Sequence, residues 1–193
     1  MITGPRWWAS VAAKAVTLTV GGEPGVGIDG DSTDGNQTVD FGFRCPLCLG
    51  NQVFDDLDDD GVYEPGSGDQ GIDGVKLNLY RDTDGNGVLS AGDSLISSAV
   101  TANGGIYSFC DLSNGNYIVQ IDNSNFAAGG PLALYMTSTG NESGGMAPDP
   151  DDDVDNDDNG YMVPGFGTAT KAVTLSCEAE PEKAIDGDGT NGN

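Results

Sequence analysis

The amino-acid sequence predicts an all-β protein, built as an antiparallel β-sandwich. Apolar residues recur at every second position in several short runs, and 31 glycines punctuate the chain between them. No run is followed by an amphipathic helical window of useful length. Hydrophobic residues make up 37% of the chain, which is enough for a folded core. Many short strands separated by turns are typical of a sandwich of two sheets.

The strand predictions rest on side chains that alternate between two faces. The stretch VKLNLY at 75–80 puts two leucines and a valine on one face, and NYIVQID at 116–122 repeats the pattern. In chain order, the predicted strands are 14–19, 38–43, 51–54, 75–80, 105–110, 116–122, 132–138 and 171–176.

The charge of the chain limits its partners. Acidic residues number 31 against 7 basic ones, so the net charge is −24. Such a chain repels nucleic acid and anionic membrane surfaces and attracts cations. It also has no apolar stretch long enough to cross a bilayer. We therefore expect neither nucleic-acid binding nor membrane insertion.

The stretch DTDGNGVLSAGD at 82–93 has the spacing of the twelve-residue calcium loop, although strands rather than helices flank it. Hard oxygen donors at every second position wrap a cation of calcium size, and Gly87 allows the sharp turn. The alternative is a solvated turn, but the matching positions favour calcium. The predicted ligands are Asp82, Asp84, Asn86, the carbonyl of Val88, Ser90 and Asp93.

Two further acidic stretches are predicted to bind calcium, so we expect several ions. In DLDDDGVYEPGSGD at 56–69, the twelfth position is Ser67, and Asp69 would close the loop if the loop carries an insertion. The predicted ligands there are Asp56, Asp58, Asp60, the carbonyl of Val62 and Asp69. The run at 149–160 repels itself unless a cation neutralises it. Its candidate ligands are Asp151, Asp153, Asp155 and Asp157.

Several motifs resemble the SdrD B-like repeat of bacterial and archaeal surface proteins. They are GNQVFDDLDDDGVYEPG, GIDGVKLNLYRDTDGNGVLSAGD, GGIYSFCDLSNGNYIVQID, DVDNDDNG, KAVTL and TVDFGF. The resemblance implies an immunoglobulin-like or prealbumin-like sandwich, stiffened by several calcium ions and usually set in tandem arrays. It also implies an extracellular or cell-surface location. The family's calcium positions fall on Asp56, Asp58, Asp60, Asp82, Asp84, Asn86 and Asp93.

An internal repeat suggests an unusual order of parts. Lys14–Asn36 aligns with Lys171–Asn193 without a gap, and 14 of the 23 pairs are identical. Only the first copy is followed by TVDFGF, whose Val39, Phe41 and Phe43 form an apolar stripe. We therefore divide the chain into an N-terminal arm at 1–43, a joint at 44–50, and a sandwich at 51–193 that lacks its final strand.

Three interpretations of the displaced strand compete. The chain is a piece of a longer tandem array, or residues 37–43 fold back into their own sandwich, or they complete a neighbouring copy. Donation to a neighbour covers an exposed sheet edge and generates a head-to-tail homopolymer. The short joint and Met1 favour donation. Trp7 and Trp8 are candidate anchors in the same interface, with a remnant signal sequence as the alternative.

The cysteines and two sequons complete the candidate sites. A zinc site is disfavoured because only Cys45 and Cys48 have ligand-like spacing, and disulfides or a buried thiol are preferred. Pairing of Cys45, Cys48, Cys110 and Cys177, within or between copies, stays open at this stage. Asn36 and Asn141 are candidate glycosylation sites.

The sequence favours a structural, non-enzymatic role. It contains no histidine, no nucleophile motif and no phosphate loop, and its carboxylates cluster at metal-loop spacing. We expect a calcium-stiffened filament subunit. The main alternative is a monomeric adhesin or carbohydrate-binding repeat that contacts a surface ligand or glycan through its loops; a calcium-binding domain of an enzyme is the third candidate.

Overall fold

A computed structural model describes residues 12–22, 36, 38–138, 147–151 and 156–177. The chain divides into two compact units, Met1–Phe43 and Arg44–Asn193. The described residues of the first unit form no strand or helix. The first unit contains a turn at Val20 and Gly21. The Gly22 N–H closes this turn by donating to the Thr19 carbonyl at 2.9 Å.

The second unit contains all ten strands that the described residues form, so the all-β prediction is confirmed. The strands are β1 (Leu47–Gln52), β2 (Phe54–Asp55), β3 (Gln70–Gly71), β4 (Lys76–Arg81), β5 (Ser94–Val100), β6 (Ile106–Leu112), β7 (Gly115–Ile121), β8 (Tyr161–Val163), β9 (Gly167–Ala169) and β10 (Val173–Leu175). A short 3-10 helix spans Asn123–Phe126. No helix in the described part of the chain is long and apolar enough to cross a membrane.

The strands form one large antiparallel sheet and two small ones. The large sheet has the order β5-β4-β7-β9-β8, and β10 also pairs with β7. β1 pairs with β6, and β2 pairs with β3. In the register of the large sheet, Leu79 of β4 lies opposite Val119 of β7, so the apolar faces of these two strands coincide.

The core lies between the large sheet and the β1–β6 sheet. Leu49 and Phe109 from the small sheet pack with Leu77, Leu79 and other apolar side chains of the large one. Face-to-face packing of two antiparallel sheets is the arrangement of a β-sandwich. On the opposite face of the large sheet, a second cluster contains Leu89, Ile118, Val163 and Ala169.

The structure corrects the predicted position of the joint. Residues 47–50, which we assigned to it, form the first part of β1. Leu47 and Leu49 point into the core because they alternate with residues on the outer face. The sandwich therefore begins before residue 51.

Three predicted strands are not formed in the described residues. Stretches 14–19 and 38–43 have no strand conformation, and 132–138 contains turns in place of a strand. Tyr135 N–H donates to the Leu132 carbonyl three residues earlier, which curls the chain. The sequence analysis also missed β3, β5, β8 and β9, where serines or very short length weaken the apolar alternation.

All four cysteines pair within one chain. Cys48 of β1 bonds Cys110 of β6, and Cys45 bonds Cys177 just after β10. A bridge between Cys45 and Cys48, a disulfide between copies and a free Cys177 were open alternatives, and this pairing replaces them. The second bridge ties the segment before the small sheet to the end of the large one. Both bridges are typical of an oxidising compartment.

Candidate functional site

The loop at 82–93 joins β4 to β5 and folds around the carboxylate of Asp82. Its Oδ1 accepts the Gly85 N–H at 2.8 Å and its Oδ2 accepts the Gly87 N–H at 3.1 Å. Gly85 and Gly87 have φ values of +70° and +79°, a region that favours glycine. The sequence of the loop therefore allows the backbone to wrap around one buried acid.

The other predicted ligands of this loop converge on the same place. Asp84 Oδ2 accepts the Ser90 hydroxyl at 2.8 Å, and Asp93 Oδ2 accepts the Ser90 N–H at 2.7 Å. Oxygens of Asp82, Asp84 and Asp93 lie within 4.8 Å of one another. Asn86 and Val88 are joined by a hydrogen bond from the Val88 N–H to the Asn86 side-chain oxygen, 2.8 Å long.

This loop is attached to the core. Leu89 is 2% exposed and packs in the second apolar cluster beside Ile118. The Gly87 carbonyl accepts the Ala172 N–H at 3.0 Å, directly before β10. Order in the loop is thus coupled to the packing of the large sheet.

The loop at 56–69 joins β2 to β3 and repeats the same pattern. Asp56 Oδ1 accepts the Asp59 N–H at 2.9 Å, and its Oδ2 accepts the Gly61 N–H at 2.9 Å. These donors stand three and five residues after the acid, as they do after Asp82. The backbone conformations agree as well, since Asp59 and Gly61 have φ values of +57° and +79°.

Asp69 closes this loop in the way that Asp93 closes the other. Its Oδ1 accepts the Leu57 N–H at 3.1 Å and its Oδ2 accepts the Glu64 N–H at 2.8 Å. Asp93 takes the corresponding N–H groups of Thr83 and Ser90. Two additional residues before Asp69 are therefore accommodated in a turn, where Ser67 N–H donates to the Glu64 carbonyl.

Sequence analysis missed Glu64, which belongs to this site. Asp56, Asp58 and Asp69 form one cluster of oxygens within 4.8 Å, and Asp58, Asp60 and Glu64 form another. Glu64 stands at the ninth position of the loop, where the other loop has Ser90, and that spacing was the available signal.

The clustered carboxylates suit a hard cation. Desolvation, followed by the negative charges of Asp60, Asp69 and Asp56, raises the pKa of Asp58 above its ordinary value. Calcium takes six to eight oxygen ligands at about 2.3–2.6 Å. Carboxylates, carbonyls and hydroxyls at this spacing fit that requirement, and a divalent ion would remove their mutual repulsion.

Two of the four candidate ligands of the third acidic stretch, Asp151 and Asp157, lie in the described residues. The Asp151 carboxylate accepts the Thr174 N–H of β10 at 2.9 Å. Asp157 forms an isolated antiparallel bridge with Val62 of the loop at 56–69. Asp153 and Asp155 lie outside the described residues.

A cleft of about 210 Å³ opens beside the loop at 56–69. Apolar side chains of both sheets line its interior, and Asp55, Asp157 and Asp158 contribute carboxylates to its lining. Burial raises the pKa of Tyr107, another lining residue, to about 12, so its ring stays uncharged. The loop and the cleft share Asp56 and Tyr63.

The remaining predicted sites lie in the first unit or outside the described part of the chain. Val39, Phe41 and Phe43 are 43%, 53% and 81% exposed. Asn36 accepts the Thr38 N–H at 3.1 Å within its own sequon. Trp7, Trp8 and Asn141 lie outside the described residues.

Comparison with known proteins identifies a family that covers most of the chain. The SdrD B-like domain family matches residues 47–186. A fibrinogen-binding protein of Staphylococcus epidermidis is 36% identical over 106 residues, which is 54% of this chain and 8% of that protein. Serine-aspartate repeat-containing protein D of Staphylococcus aureus (strain Newman) is 31% identical over 109 residues, 53% of this chain and 8% of that protein.

A third relative is serine-aspartate repeat-containing protein F of Staphylococcus epidermidis. It is 35% identical over 88 residues, which is 45% of this chain and 5% of that protein. The chain thus spans less than a tenth of the length of these curated relatives.

Proposed function

The chain belongs to the SdrD B-like domain family, and from this premise we propose that it is a non-enzymatic structural module that calcium ions stiffen. Its location is extracellular or on the cell surface, as for its relatives. The module acts as a rigid spacer in a larger surface assembly.

The observation that carries this proposal is the agreement between the two loops. Asp56 and Asp82 accept backbone N–H groups from the same two relative positions. Asp69 and Asp93 close their loops through equivalent contacts. Two independent segments with one donor pattern favour a shared ligand over two solvated turns.

Calcium in these loops would stiffen the module. A metal that binds the folded state alone lowers its free energy relative to the unfolded chain. The loop at 82–93 is bonded to the segment before β10 through Gly87, and its ion would therefore restrain both. Extracellular calcium modules bind in the range of about 10⁻⁴–10⁻³ M, which matches an outside location.

Isothermal titration of the whole protein with calcium tests the proposal. We expect at least two sites, with Asp82→Asn and Asp56→Asn each weakening one of them about tenfold or more. Asp40→Asn is the control, because Asp40 is exposed and stands outside both loops. If calcium up to about 10 mM produces no binding signal, the calcium proposal is wrong.

We also propose that the module assembles head to tail through residues 37–43. The exposed stripe of Val39, Phe41 and Phe43 supports this second function. Apolar side chains at alternate positions suit the addition of this segment as a strand to another copy.

A triple variant with serine at positions 39, 41 and 43 tests assembly. We expect electron microscopy in millimolar calcium to show filaments of the wild type and separate subunits of the variant. The matched control is Val16→Ser/Leu18→Ser, since Val16 and Leu18 are 47% and 67% exposed in the same unit. Filaments of the triple variant, or none of the wild type, would contradict strand donation.

A further inference from the structure

Gly61 and Gly87 are the sixth residues of the two candidate calcium loops, and they make equivalent hydrogen bonds. The Gly61 N–H donates to Asp56 Oδ2 at 2.9 Å. The Gly87 N–H donates to Asp82 Oδ2 at 3.1 Å. Each glycine is thus positioned by the first acid of its loop, which is a predicted calcium ligand.

The carbonyls of the same two glycines bind the segment that forms β8, β9 and β10, the C-terminal strands. The Gly61 carbonyl accepts the Asp158 N–H at 2.8 Å. The Gly87 carbonyl accepts the Ala172 N–H at 3.0 Å. Asp158 stands shortly before β8, and Ala172 stands directly before β10. The two loops therefore contact this segment at two separate places, one near each end.

Further contacts support both attachments. Beside the first, the Tyr63 N–H donates to the Asn156 carbonyl at 2.7 Å. Beside the second, Leu89 of the loop at 82–93 packs in one apolar cluster with Val163 of β8 and Ala169 of β9. Each loop thus contributes more than a single hydrogen bond to the docking of the C-terminal strands.

The C-terminal strands have short ladders of their own. Each of them is three residues long. In the part of the chain that the structure describes, β8 pairs with β9 alone, and β9 pairs with β7 only where Gln120 lies opposite Ala169. The ladder between β4 and β7 runs from Leu77 to Arg81. Regions with few such bonds open locally at a lower free energy than central strands do.

We infer that the two loops form a calcium-dependent clamp on the C-terminal strands. The inference rests on the proposed calcium binding and names the part of the module that responds to the ion. Neutralised acids allow the loops to keep the Gly61 and Gly87 carbonyls beside their donors. When the cation is withdrawn, the carboxylates repel one another and the loops spread. The C-terminal strands then open locally, while β4 and β7 stay paired.

The Cys45–Cys177 disulfide makes this opening reversible. Cys177 follows β10 by two residues, and Cys45 precedes β1. Released strands therefore stay attached to the sandwich beyond β10 as well as through the chain before β8. A segment that is tied at both ends loses less entropy when it docks again than a free chain end does. The calcium concentration thus sets how firmly the C-terminal strands are docked.

Amide hydrogen exchange of the whole protein, followed by NMR with the disulfides intact, tests the clamp. The wild type is compared in about 2 mM calcium and in excess chelator, at constant ionic strength. In chelator, we expect the amides of the C-terminal strands to exchange at least about tenfold faster than those of β4 and β7. Calcium should slow their exchange about 3-fold to 20-fold for each ion that the opening releases.

Asp56→Asn and Asp82→Asn are matched variants, because each weakens one loop. In calcium, Asp56→Asn should speed the exchange of the Asp158 amide at least about threefold and leave that of the Ala172 amide within about twofold. Asp82→Asn should have the opposite effect, since Ala172 donates to Gly87. Equal effects of the two variants on both amides would overturn the inference.

Calcium titration under the same conditions separates this inference from the proposed function. If calcium binds and the exchange of the C-terminal strands does not change, the clamp is wrong and calcium binding stands. The clamp is also wrong if β4 and β7 exchange as fast as the C-terminal strands in chelator. If no calcium binds, both are wrong. The wild type alone decides these outcomes, so they do not depend on the folding of a variant.

Discussion

Asp56 and Asp82 show how one carboxylate organises a whole loop. Each accepts N–H groups three and five residues later, and charge-assisted hydrogen bonds of this kind are stronger than neutral ones. The backbone turns tightly around the acid and brings further acids beside it. Oxygens from three side chains then come close together, which is unfavourable without a cation.

The role of Asp69 as the closing acid gives a residue-level prediction. Asp69→Asn should weaken calcium binding by the loop at 56–69 about 10-fold to 100-fold, because the loop loses a charged ligand. Ser67→Ala should leave the affinity within about twofold, since Ser67 only bonds Glu64. Calcium titration of the two variants measures the difference. Equal effects would contradict the assignment of Asp69 as the closing acid.

The lowered pKa of Asp122 makes the stability of the fold depend on pH. Hydrogen bonds from Lys76, Ser124 and Asn78 hold its pKa well below the ordinary value. The unfolded-state pKa is about 3.9, so Asp122 stabilises the fold above that pH and loses this contribution as the pH falls through the lowered value. Asp122→Asn should cost about 1.5–3 kcal/mol at pH 7.

Urea unfolding at several pH values measures the effect of Asp122→Asn. The difference from the wild type should be constant from pH 5 to 7 and should shrink as the pH falls below about 4. The control is Asp111→Asn, because Asp111 forms an exposed pair with Arg44 and such pairs contribute about 1 kcal/mol or less. A pH-independent cost of Asp122→Asn would contradict this account.

Much of the candidate site could be predicted at this scale. The spacing of oxygen donors identified the loop at 82–93 and suggested Asp69 for the other loop. Spacing alone does not show whether an inserted turn brings an acid back into place, which depends on the bond between Ser67 and Glu64. Nor does it show that the carboxylate of Asp151 accepts a backbone N–H of β10.

At the scale of elements, one short sequence shows the importance of tertiary context. The pentapeptide KAVTL occurs at 14–18 and again at 171–175. The second copy contains β10, which pairs with β7, whereas the first copy is not a strand. Strand propensity is the same in both, and the available partner decides the outcome.

The same reasoning explains which strands were predicted. Alternation identified β4 and β7, whose side chains divide between the two faces of the large sheet. It missed β5, an edge strand whose residues are mostly exposed, because it has little apolar alternation. It wrongly predicted 132–138, where Leu134 and Met136 are 96% and 90% exposed and only Leu132 is buried.

The two disulfides should contribute strongly to the stability of the sandwich. Cys48–Cys110 and Cys45–Cys177 close loops with sequence separations of 62 and 132 residues. The chain-entropy estimate for such loops is about 4–5 kcal/mol each. Cys48→Ser/Cys110→Ser should therefore unfold at markedly lower urea concentration than the wild type.

Reductant provides the control for the disulfides. It should destabilise the wild type and leave a variant with all four cysteines replaced by serine unchanged. Disulfide-linked dimers of the wild type on a non-reducing gel would contradict pairing within one chain.

At the scale of the whole molecule, charge and fold act together. The net charge of −24 destabilises a compact state through self-repulsion. Many of the acids are concentrated in loops at the strand ends, where cations can neutralise them. The sandwich supplies a rigid frame, the Cys45–Cys177 disulfide connects its two main sheets, and calcium would complete the loops. This combination suits a spacer at a cell surface.

The most direct test is the melting temperature of the whole protein in about 2 mM calcium and again in excess chelator, at constant ionic strength. Two sites with dissociation constants of about 10⁻⁴–10⁻³ M raise the stability by about 1–4 kcal/mol, so we predict a melting temperature about 3–14 °C higher with calcium. Magnesium at the same concentration should restore much less, because it demands a tighter octahedral site. An identical melting temperature with calcium and with chelator would contradict the account.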